Sequence, residues 1–425
     1  MDEALRRGGR VRVSDWLRGP RDAVALAFGG DVVRTRDLAR AVSAARLPAG
    51  DGAVPVAVPA GTDPVTAITV VLTCLERGRP VLVGGTDAQA RHLAPALPEG
   101  TALALLTSGS TDASATPRAV ARTEASWLAS AEPLAELAGV GAGDRVAVTG
   151  PLHVSMHLYA ALHALWAGAT VVDRLDDATV VHATPTRLAR LLDGASVPAT
   201  AVVAGAVLGD VERRTAEARG IRLVEYYGAA ELSFVAVGDG DDLVPFPGVE
   251  LDLRPAPTGL EVWARSPYLA LGVIGGGMLR RDADGFATVG DLAEIRPSGA
   301  IRILGRGDAA ITTAGCTVIA EDLEARLRGL PGVAAAAVLG EPHDLLGERI
   351  VAVVELDGTV DGLAAVITAA RASLEPALVP RRWFAAALPR TDAGKVARGV
   401  LRAAIADGSL GAGHPIAGPP AGVRA

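Results

Sequence analysis

The segment AVPVAVPAGTDPVTAITVVLTCLERGRPVLVGG, residues 53–85, decides the fold class of this chain. It contains an apolar run of strand length, a helix-like stretch over 64–77 and a second apolar run. Strands that are apolar along their whole length and are joined by a helix are typical of parallel sheets with both faces covered. The segment therefore predicts a βα unit. The same rhythm recurs in RVAVTGP, a helix-like stretch over 156–167, ATVVD and TAVVAGAVLG.

The pattern changes after these units. Over residues 244–304 short strands alternate with turns, as in GLEVWARSP, GFATVGDLAEI and AIRILGR, which predicts a β-rich subdomain. Residues 309–406 combine strand and helix patterns in a compact α+β unit. Because 425 residues exceed one ordinary core, we predict a large α/β domain over 1–304, a hinge at 305–308, a small α+β domain over 309–406 and a flexible tail over 407–425.

Composition excludes several classes of protein. The net charge of −7 and the scattered arginines argue against a nucleic-acid-binding surface. Cys74 and Cys316 lie far apart and match no metal-ligand spacing, which favours a reducing compartment. The apolar runs are shorter than the ~20 residues that span a bilayer. We therefore expect a soluble, cytoplasmic protein without a membrane span.

Lys395 is the only lysine among the 41 lysine and arginine residues of the chain. A bias towards GC-rich codons accounts for most of the arginines, but it does not explain one retained lysine. Lys395 ends LPRTDAGK, a glycine-containing loop before the helix-like VARGVLRAAI. The simplest interpretation is that Lys395 is a solvated lysine near the start of a helix. The alternative is that a slim ammonium does chemistry that a planar guanidinium cannot do.

Three other segments carry weaker signals. LLTSGSTDASATPRAV, residues 105–120, is a hydroxyl- and glycine-rich loop that can wrap phosphates, although it lacks the Gly-Lys-Ser/Thr ending of a Walker loop. Glu231 in EYYGAAELSF is a carboxylate suited to Mg²⁺ beside phosphates. Asp291 in TVGDLAEI is suited to the hydroxyls of a ribose. Taken alone, each segment is more typical of an ordinary surface turn or a helix cap.

Taken in order, these segments resemble the adenylate-forming superfamily of acyl-CoA synthetases, peptide-synthetase adenylation domains and beetle luciferases. The resembling segments are TSGST (107–111), YYGAAE (226–231), VGD (289–291), GRGDAAITTAGCTVIAEDLEARL (305–327), GEPHDLLGER (340–349) and LPRTDAGKVAR (388–398). The resemblance implies that the small domain is mobile. It also implies that ATP, Mg²⁺ and a carboxylic acid form an acyl-adenylate, whose acyl group then passes to the thiol of CoA.

The resemblance assigns a role to each matching residue. Lys395 bridges the attacking carboxylate and the α-phosphoryl oxygen, Glu231 ligates Mg²⁺, and His153 lies beside the carboxylate of the acid. Asp291 holds the ribose with Arg306, and Tyr227 packs against the adenine. The remaining nucleotide-binding residues are Thr107, Ser108, Gly109, Ser110, Thr111 and Gly228. Asp308 is the hinge, Gly315 belongs to the loop of the thiol tunnel, and small residues leave room for the acyl chain, namely Ala204, Gly205, Ala206 and Ala229.

The sequence also departs from the family pattern. The phosphate loop is about three residues longer, with Arg118 in the position of a lysine, and Ala230 replaces a hydroxyl whose bond is worth about 1 kcal/mol. The region before residue 105 is shorter than in typical members. His153 and His157 have the spacing of a metal pair but no third ligand. Two alternatives stay open: transfer to the phosphopantetheine of an acyl carrier protein, and a non-catalytic nucleotide-binding relative. The oligomeric expectation is a monomer or a homodimer.

Overall fold

The computed structural model describes residues 12–49, 52–107, 118–240, 242–257, 259–276, 278–306, 310–313, 316–343, 347–376, 378–391, 394–411 and 413–415. Their buried apolar side chains form separate clusters. Some clusters draw only on residues between Trp16 and Ile301, and others only on residues between Ile311 and Ile405. We call residues 12–306 the large unit and residues 310–415 the small unit.

The segment over 53–85 forms a strand, a helix and a second strand, as predicted. The carboxylate of Asp63 accepts a hydrogen bond from Thr66 N at 2.9 Å, Pro64 begins the helix, and Gly78 ends it with φ +62°. The elements of this part are α1 (Val13–Trp16), β1 (Val24–Phe28), β2 (Asp31–Arg34), α2 (Thr35–Ala44), β3 (Val56–Pro59), α3 (Pro64–Arg77), β4 (Val81–Gly84), α4 (Asp87–Leu93) and β5 (Leu103–Thr107).

The next part supplies most of the parallel sheet. Its elements are β6 (Arg118–Arg122), α5 (Glu124–Leu128), α6 (Ala131–Ala138), β7 (Arg145–Val148), α7 (Ser155–Trp166), β8 (Thr170–Val172), β9 (Val180–Ala183), α8 (Pro185–Leu192), β10 (Thr200–Val203), α9 (Asp210–Ala218), β11 (Arg222–Ala229) and β12 (Ser233–Asp239). The order β11-β10-β9-β7-β8-β1 is parallel throughout, and β2 follows antiparallel. Every residue of β9 and β10 is buried, which explains why both strands are mainly apolar; His182 and Thr200 are the polar exceptions.

The strands over 242–306 do not form a sheet of their own. They are β13 (Asp242–Pro245), β14 (Glu250–Ala256), β15 (Gly259–Arg265), β16 (Gly272–Ile274), β17 (Arg280–Arg281), β18 (Ala287–Thr288), β19 (Asp291–Ile295) and β20 (Ile301–Arg306). The order β17-β18-β15-β19-β20-β13-β12-β11 joins them to the parallel sheet, while β16 pairs with β6 in the second sheet, β16-β6-β5-β4-β3. The β-rich region is therefore continuous with both sheets. In the larger sheet, β12 pairs antiparallel with β11, and β13 pairs with the other edge of β12.

The small unit is a sheet with helices on both faces. Its elements are β21 (Ala310–Thr313), β22 (Cys316–Ile319), α10 (Ala320–Arg328), β23 (Val333–His343), β24 (Gly347–Leu356), α11 (Leu363–Ser373), β25 (Arg382–Ala385), α12 (Arg398–Ala406) and β26 (His414–Pro415). Side chains alternate along β23: Val338 packs with Leu327 of α10 and Val366 of α11, and Leu339 packs with Leu401 of α12.

The C-terminal stretch differs from the flexible tail expected from residue 407. His414 and Pro415 pair with Trp383 and Arg382 of β25. Gly413 permits this contact, since a Cβ there would lie 2.9 Å from Cζ of Phe384 and its φ is +69°. Part of this glycine-rich segment therefore belongs to the small-unit sheet, whereas residues 416–425 lie outside the described residues.

The two units meet at two places. Arg302 of β20 forms a salt bridge with Asp322 of α10, with a distance of 2.8 Å between Nη2 and Oδ1. Arg390, which precedes Lys395, lies 3.5 Å through Nη1 from Oγ1 of Thr186 in α8. In the part of the chain that the structure describes, no helix is both long enough and apolar enough to cross a bilayer.

A buried carboxylate fastens the first helix of the large unit. The indole Nε1 of Trp16, which is fully buried, donates to Oε1 of Glu124 at 2.8 Å. Burial raises the pKa of Glu124 to about 7 against the hydrogen bond from Trp16, and the carboxylates of Asp15 and Glu76 raise it further. The folded state thus binds this proton more tightly than the unfolded chain, in which the pKa is near 4.5.

We expect stability to fall as pH rises from about 4.5 to 7, by up to about 3 kcal/mol from Glu124. Glu124→Gln keeps an acceptor for Trp16 without the charge, so it should increase the free energy of unfolding at pH above 7 and leave it nearly unchanged at low pH. Urea unfolding across this pH range measures the difference, with Glu132→Gln on the exposed side of α6 as control. An equal effect at both ends of the range would contradict this account.

Candidate active site

The predicted site residues that the structure describes gather at one edge of the large unit. His153 lies in the loop after β7, Ala204 and Gly205 follow β10, and Gly228 lies near the end of β11. These strands are parallel, so their carboxyl ends meet at the same edge of the sheet. Ligands of open α/β sheets bind outside the carboxyl ends of the strands. Backbone topology alone therefore places this edge as the candidate site.

Glu231 forms an ion pair with Arg118. Nη2 of Arg118 lies 2.7 Å from Oε1 of Glu231, the carboxylate is 4% exposed and the arginine is half-buried. Arg118 begins β6 opposite Thr107 at the end of β5, so it stands at the base of the predicted phosphate loop. A buried ion that loses its partner costs several kcal/mol, roughly 3–5. Each member of the pair therefore keeps the other in place.

A second guanidinium lies near the same carboxylate. Arg122 is four residues beyond Arg118 on β6, and it donates from Nη1 to the carbonyl oxygens of Ala230 and Tyr268 at 3.4 and 3.2 Å. It is fully buried, and burial lowers its pKa to about 9, against the opposing charge of Glu231. The negative charge of Glu231 is thus balanced by two arginines of the protein itself.

Tyr227 and Asp291 meet across the site. The hydroxyl of Tyr227, on β11, donates to Oδ2 of Asp291 at 2.6 Å, and Asp291 is 8% exposed at the start of β19. The backbone of Asp291 is paired with that of Arg306 on β20. The structure thus brings together three residues that the family resemblance assigned to the nucleoside.

Gly228 has a packing role that the sequence did not reveal. A Cβ at this position would overlap the carbonyl oxygen of Ser233, where the β11–β12 register shifts and Ser233 itself takes φ +62°. Only glycine allows the two backbones to approach this closely. The turn over 229–233, which carries Glu231, is shaped by this contact.

The loop that carries Lys395 is closed by its own backbone. Thr391 N donates to the carbonyl oxygen of Lys395 and Gly394 N donates to that of Thr391, both at 2.7 Å, while Gly394 takes φ +78°. Just after the loop, Nη2 of Arg398 donates to both carboxylate oxygens of Glu324 in α10, at 2.8 and 2.7 Å. These bonds fix the loop on the small unit.

Lys395 faces the large unit. A Cβ placed on Gly205 would lie 3.5 Å from Cε of Lys395, and one placed on Gly394 would lie 3.5 Å from Oγ1 of Thr184. Thr184 and Gly205 follow β9 and β10, and the Lys395 side chain remains exposed at this junction. The single ammonium of the chain therefore stands over the carboxyl ends of the parallel strands.

The two histidines near the site have different environments. His153 is half-buried beside the end of β4, since a Cβ on Gly84 would lie 3.1 Å from the Cβ of His153. His157 is buried with its Nε2 against Gly150, and burial lowers its pKa to about 4, so it is neutral at pH 7. No group of three metal-ligating side chains occurs among the described residues, which gives the His153 and His157 spacing no third ligand.

The remaining predictions are only partly placed. Thr107 and Arg306 end strands β5 and β20, and the structure describes their backbones alone. Ala204 is buried, Ala229 is half-buried and Ala206 is exposed. The residues that fall outside the described ranges are Ser108, Gly109, Ser110, Thr111, Asp308 and Gly315.

Sequence reasoning missed two features of the site. It noted Arg118 as a departure from the family pattern but did not pair it with Glu231, which lies 113 residues away. It also did not identify Thr184, a buried residue beside the lysine loop. No local pattern signals either contact, because both depend on strand order.

Comparisons with known proteins agree with this fold. A profile of the AMP-binding enzyme C-terminal domain matches residues 322–395, which end at the candidate lysine. An uncharacterised acyl-CoA ligase of Bacillus subtilis is 28% identical over an alignment of 327 residues that covers 69% of this chain and 66% of the relative. An isonitrile lipopeptide synthase of Streptomyces coeruleorubidus is 31% identical over 96% of this chain and 33% of its own length.

The chain thus spans less than two thirds of the length of either relative. Among solved structures, ATP-bound MatB from Rhodopseudomonas palustris matches with a TM-score of 0.77 at 20% identity, over 93% of this chain and 99% of that one. At this identity the match establishes the fold. Residues 322–395 thus match the C-terminal domain of AMP-binding enzymes, and the chain as a whole has the fold of ATP-bound MatB.

Proposed function

We infer that the protein is an ATP-dependent acid–thiol ligase. It would join a carboxylic acid to AMP with release of pyrophosphate and then transfer the acyl group to CoA. The observation that carries this proposal is the position of Lys395, which the small unit holds against the ends of β9 and β10 in the large unit. A cation at the junction of two units is where two separately bound anions can be brought together.

The central task of the first half-reaction is electrostatic. The carboxylate must approach the α-phosphate, and two unit charges 4 Å apart repel each other by about 4 kcal/mol at a protein surface. The Lys395 ammonium between them offsets this repulsion, and the gain grows as charge moves onto the phosphoryl oxygens. His153, after β7, would orient the carboxylate for in-line attack.

The nucleoside would be held by groups that already have defined positions. Tyr227 donates to Oδ2 of Asp291, and Asp291 would accept a ribose hydroxyl, with Arg306 assisting. In this proposal Tyr227 orients Asp291 as well as packing against the adenine. Gly228 would let the backbone approach the nucleotide, and the segment Thr107–Thr111 would bind the β- and γ-phosphates.

Glu231 is compatible with the role of a Mg²⁺ ligand. Mg²⁺ is commonly held by one or two carboxylates together with substrate phosphates, and Arg118 engages Oε1 of Glu231, which is one of two carboxylate oxygens. The bound cation would neutralise phosphate charge. Arg118 must release or share Glu231 when the cation binds, and it would then face the phosphates.

The second half-reaction would follow rotation of the small unit about residues 305–308, with Asp308 as the hinge. Rotation would withdraw Lys395 and bring the Gly315 loop to the entrance of a thiol tunnel. The alternative acceptor is the phosphopantetheine of a carrier protein. One observation favours it: the match to the lipopeptide synthase extends over 96% of the chain.

ATP–pyrophosphate exchange with a panel of carboxylic acids tests adenylation, and thioester formation with CoA or a carrier protein identifies the acceptor. We expect Lys395→Arg to lower exchange by at least ~10²-fold and to leave transfer from supplied acyl-AMP largely intact. The wider guanidinium cannot reproduce the three-way contact. Arg402→Lys, on the exposed face of α12, is the matched control and should change neither step.

Equal damage to both steps by Lys395→Arg would contradict its assigned role. Bound ATP without exchange for any acid would instead support the non-catalytic alternative.

Arg118→Gln should lower the Mg²⁺ concentration that half-saturates exchange by roughly tenfold, since a charge-assisted hydrogen bond of about 1.5–3 kcal/mol no longer competes for Glu231. Without Mg²⁺ the same variant should melt at a lower temperature, because Glu231 loses its partner. Thermal melts with and without Mg²⁺ and ATP measure this separately from activity. Arg118→Lys retains the charge and should lie between the two; an unchanged Mg²⁺ dependence in Arg118→Gln would refute the competition.

A further inference from the structure

A cavity of about 850 Å³ opens beside His153. It lies where the β1–β2 turn, the start of α3 and the loop after β7 meet. Its walls are aliphatic, formed mainly by Val33, Val58, Val71, Val83, Val148 and Leu158. Cavities of this size with apolar walls and few polar groups are typical small-molecule sites.

Strand order places this cavity on a different side of His153 from the pocket predicted by sequence. That pocket, residues 204–206 and 229, follows β10 and β11, which lie beyond β9 from β7. The cavity borders Asp173 after β8 and the β1–β2 turn, which lie beyond β7 in the opposite direction. The loop that contains His153 stands between them.

The same order sets the distance to the lysine. Adjacent strands are about 4.8 Å apart, so the ends of β7 and β10 are separated by about 10 Å across β9. The ends of β7 and β9 are also tied directly, since Oγ1 of Thr149 donates to the carbonyl oxygen of His182 at 2.8 Å. With the acid carboxylate beside His153 and facing Lys395, the rest of the acid would extend away from Lys395 into the cavity.

Negative charge at the cavity mouth restricts which carboxylic acids can bind. Asp31, Asp63 and Asp173 are exposed at the rim, and no arginine or lysine occurs among the described residues that line the cavity. Asp63 and Asp173 are held in place by backbone N–H groups, of Thr66 and Gly29, at 2.9 and 2.7 Å. A second carboxylate at the far end of the substrate would meet these three carboxylates.

We propose that this cavity binds the hydrocarbon chain of the acid substrate, and that the substrates are aliphatic monocarboxylic acids. The inference rests on the proposed adenylation activity and adds the substrate class and the direction of the chain. Each methylene buried against aliphatic walls improves kcat/KM roughly fourfold until the cavity is filled.

The test compares acetate, butyrate, hexanoate and octanoate with adipate in ATP–pyrophosphate exchange. We expect kcat/KM to rise with chain length and hexanoate to exceed adipate by at least ~10-fold. Val33→Trp narrows the mouth from β2, a strand at the sheet edge where a large side chain is tolerated. It should reduce kcat/KM for octanoate by at least ~10-fold and spare acetate. Val211→Trp, on the exposed surface of α9, is the size-matched control.

Binding is measured independently of activity. Bromo-octanoate should quench the indole introduced at position 33 and not the one introduced at position 211. Two results overturn the cavity assignment while the proposed function stands: exchange with unchanged chain-length selectivity in Val33→Trp, or a chain-length limit set instead by Ala206→Trp at the sequence-predicted pocket. Absence of exchange with every acid in the unmodified protein would overturn the proposed function itself.

Discussion

The candidate site depends on the salt bridge between Arg398 and Glu324, in which Nη2 of Arg398 contacts both carboxylate oxygens. Glu324 belongs to α10 and also accepts a hydrogen bond from Val338 N of β23 at 2.8 Å, so Arg398 is tied to a helix and a strand at once. Burial raises the pKa of Glu324, and the charge of Arg398 opposes that rise. Because Arg398 follows Lys395 by three residues, this bond determines where the ammonium can reach. The single lysine is thus close in sequence to a residue that is anchored to both α10 and β23.

The acidic groups of the site share a common arrangement. Glu231 is paired with Arg118 and Asp291 accepts from Tyr227 before any ligand is considered. A buried carboxylate without a partner is costly, so these bonds stabilise the folded state. In the proposed reaction, a nucleotide and its cation would therefore bind carboxylates that already have protein partners, and they would replace or share Arg118 and Tyr227. Arg118 departs from the family pattern, whereas Glu231 conforms to that pattern. The ion pair between them links the two positions physically.

Much of the fold was predictable because its signals are local. The helix over 64–77 has the predicted limits, since Asp63, Pro64 and Gly78 mark its ends within the sequence. The buried strand β10 was visible as the mainly apolar run TAVV within the quoted segment TAVVAGAVLG. In contrast, the merging of the β-rich region with the parallel sheet depends on the turn at Ser233, whose positive φ is not signalled by the residue type. The short strand at His414 likewise arises from an open edge of β25, which no local pattern encodes.

The site was predictable to a different depth for each residue. Lys395 stood out because it is the only lysine in a chain whose codon bias favours arginine. This observation indicates chemical importance, but it does not predict which residues the side chain lies beside. Tyr227 and Asp291 were assigned to the same nucleoside, yet the hydrogen bond between them depends on the order of β11 and β19 in the sheet. The Arg118 and Glu231 pair needs the same long-range information.

The order of strands in the sheet also separates two groups of residues at the strand ends. Lys395 lies against Gly205 at the end of β10, Tyr227 lies on β11 and Asp291 begins β19. The aliphatic cavity instead borders β7, β8 and β1. A substrate that spans both regions must place its carboxylate at the boundary, beside His153. In the reaction we propose, the geometry would follow from the topology of the parallel strands. The two ligands would approach the same edge from opposite directions, and the Lys395 ammonium of the small unit would lie between their charged ends.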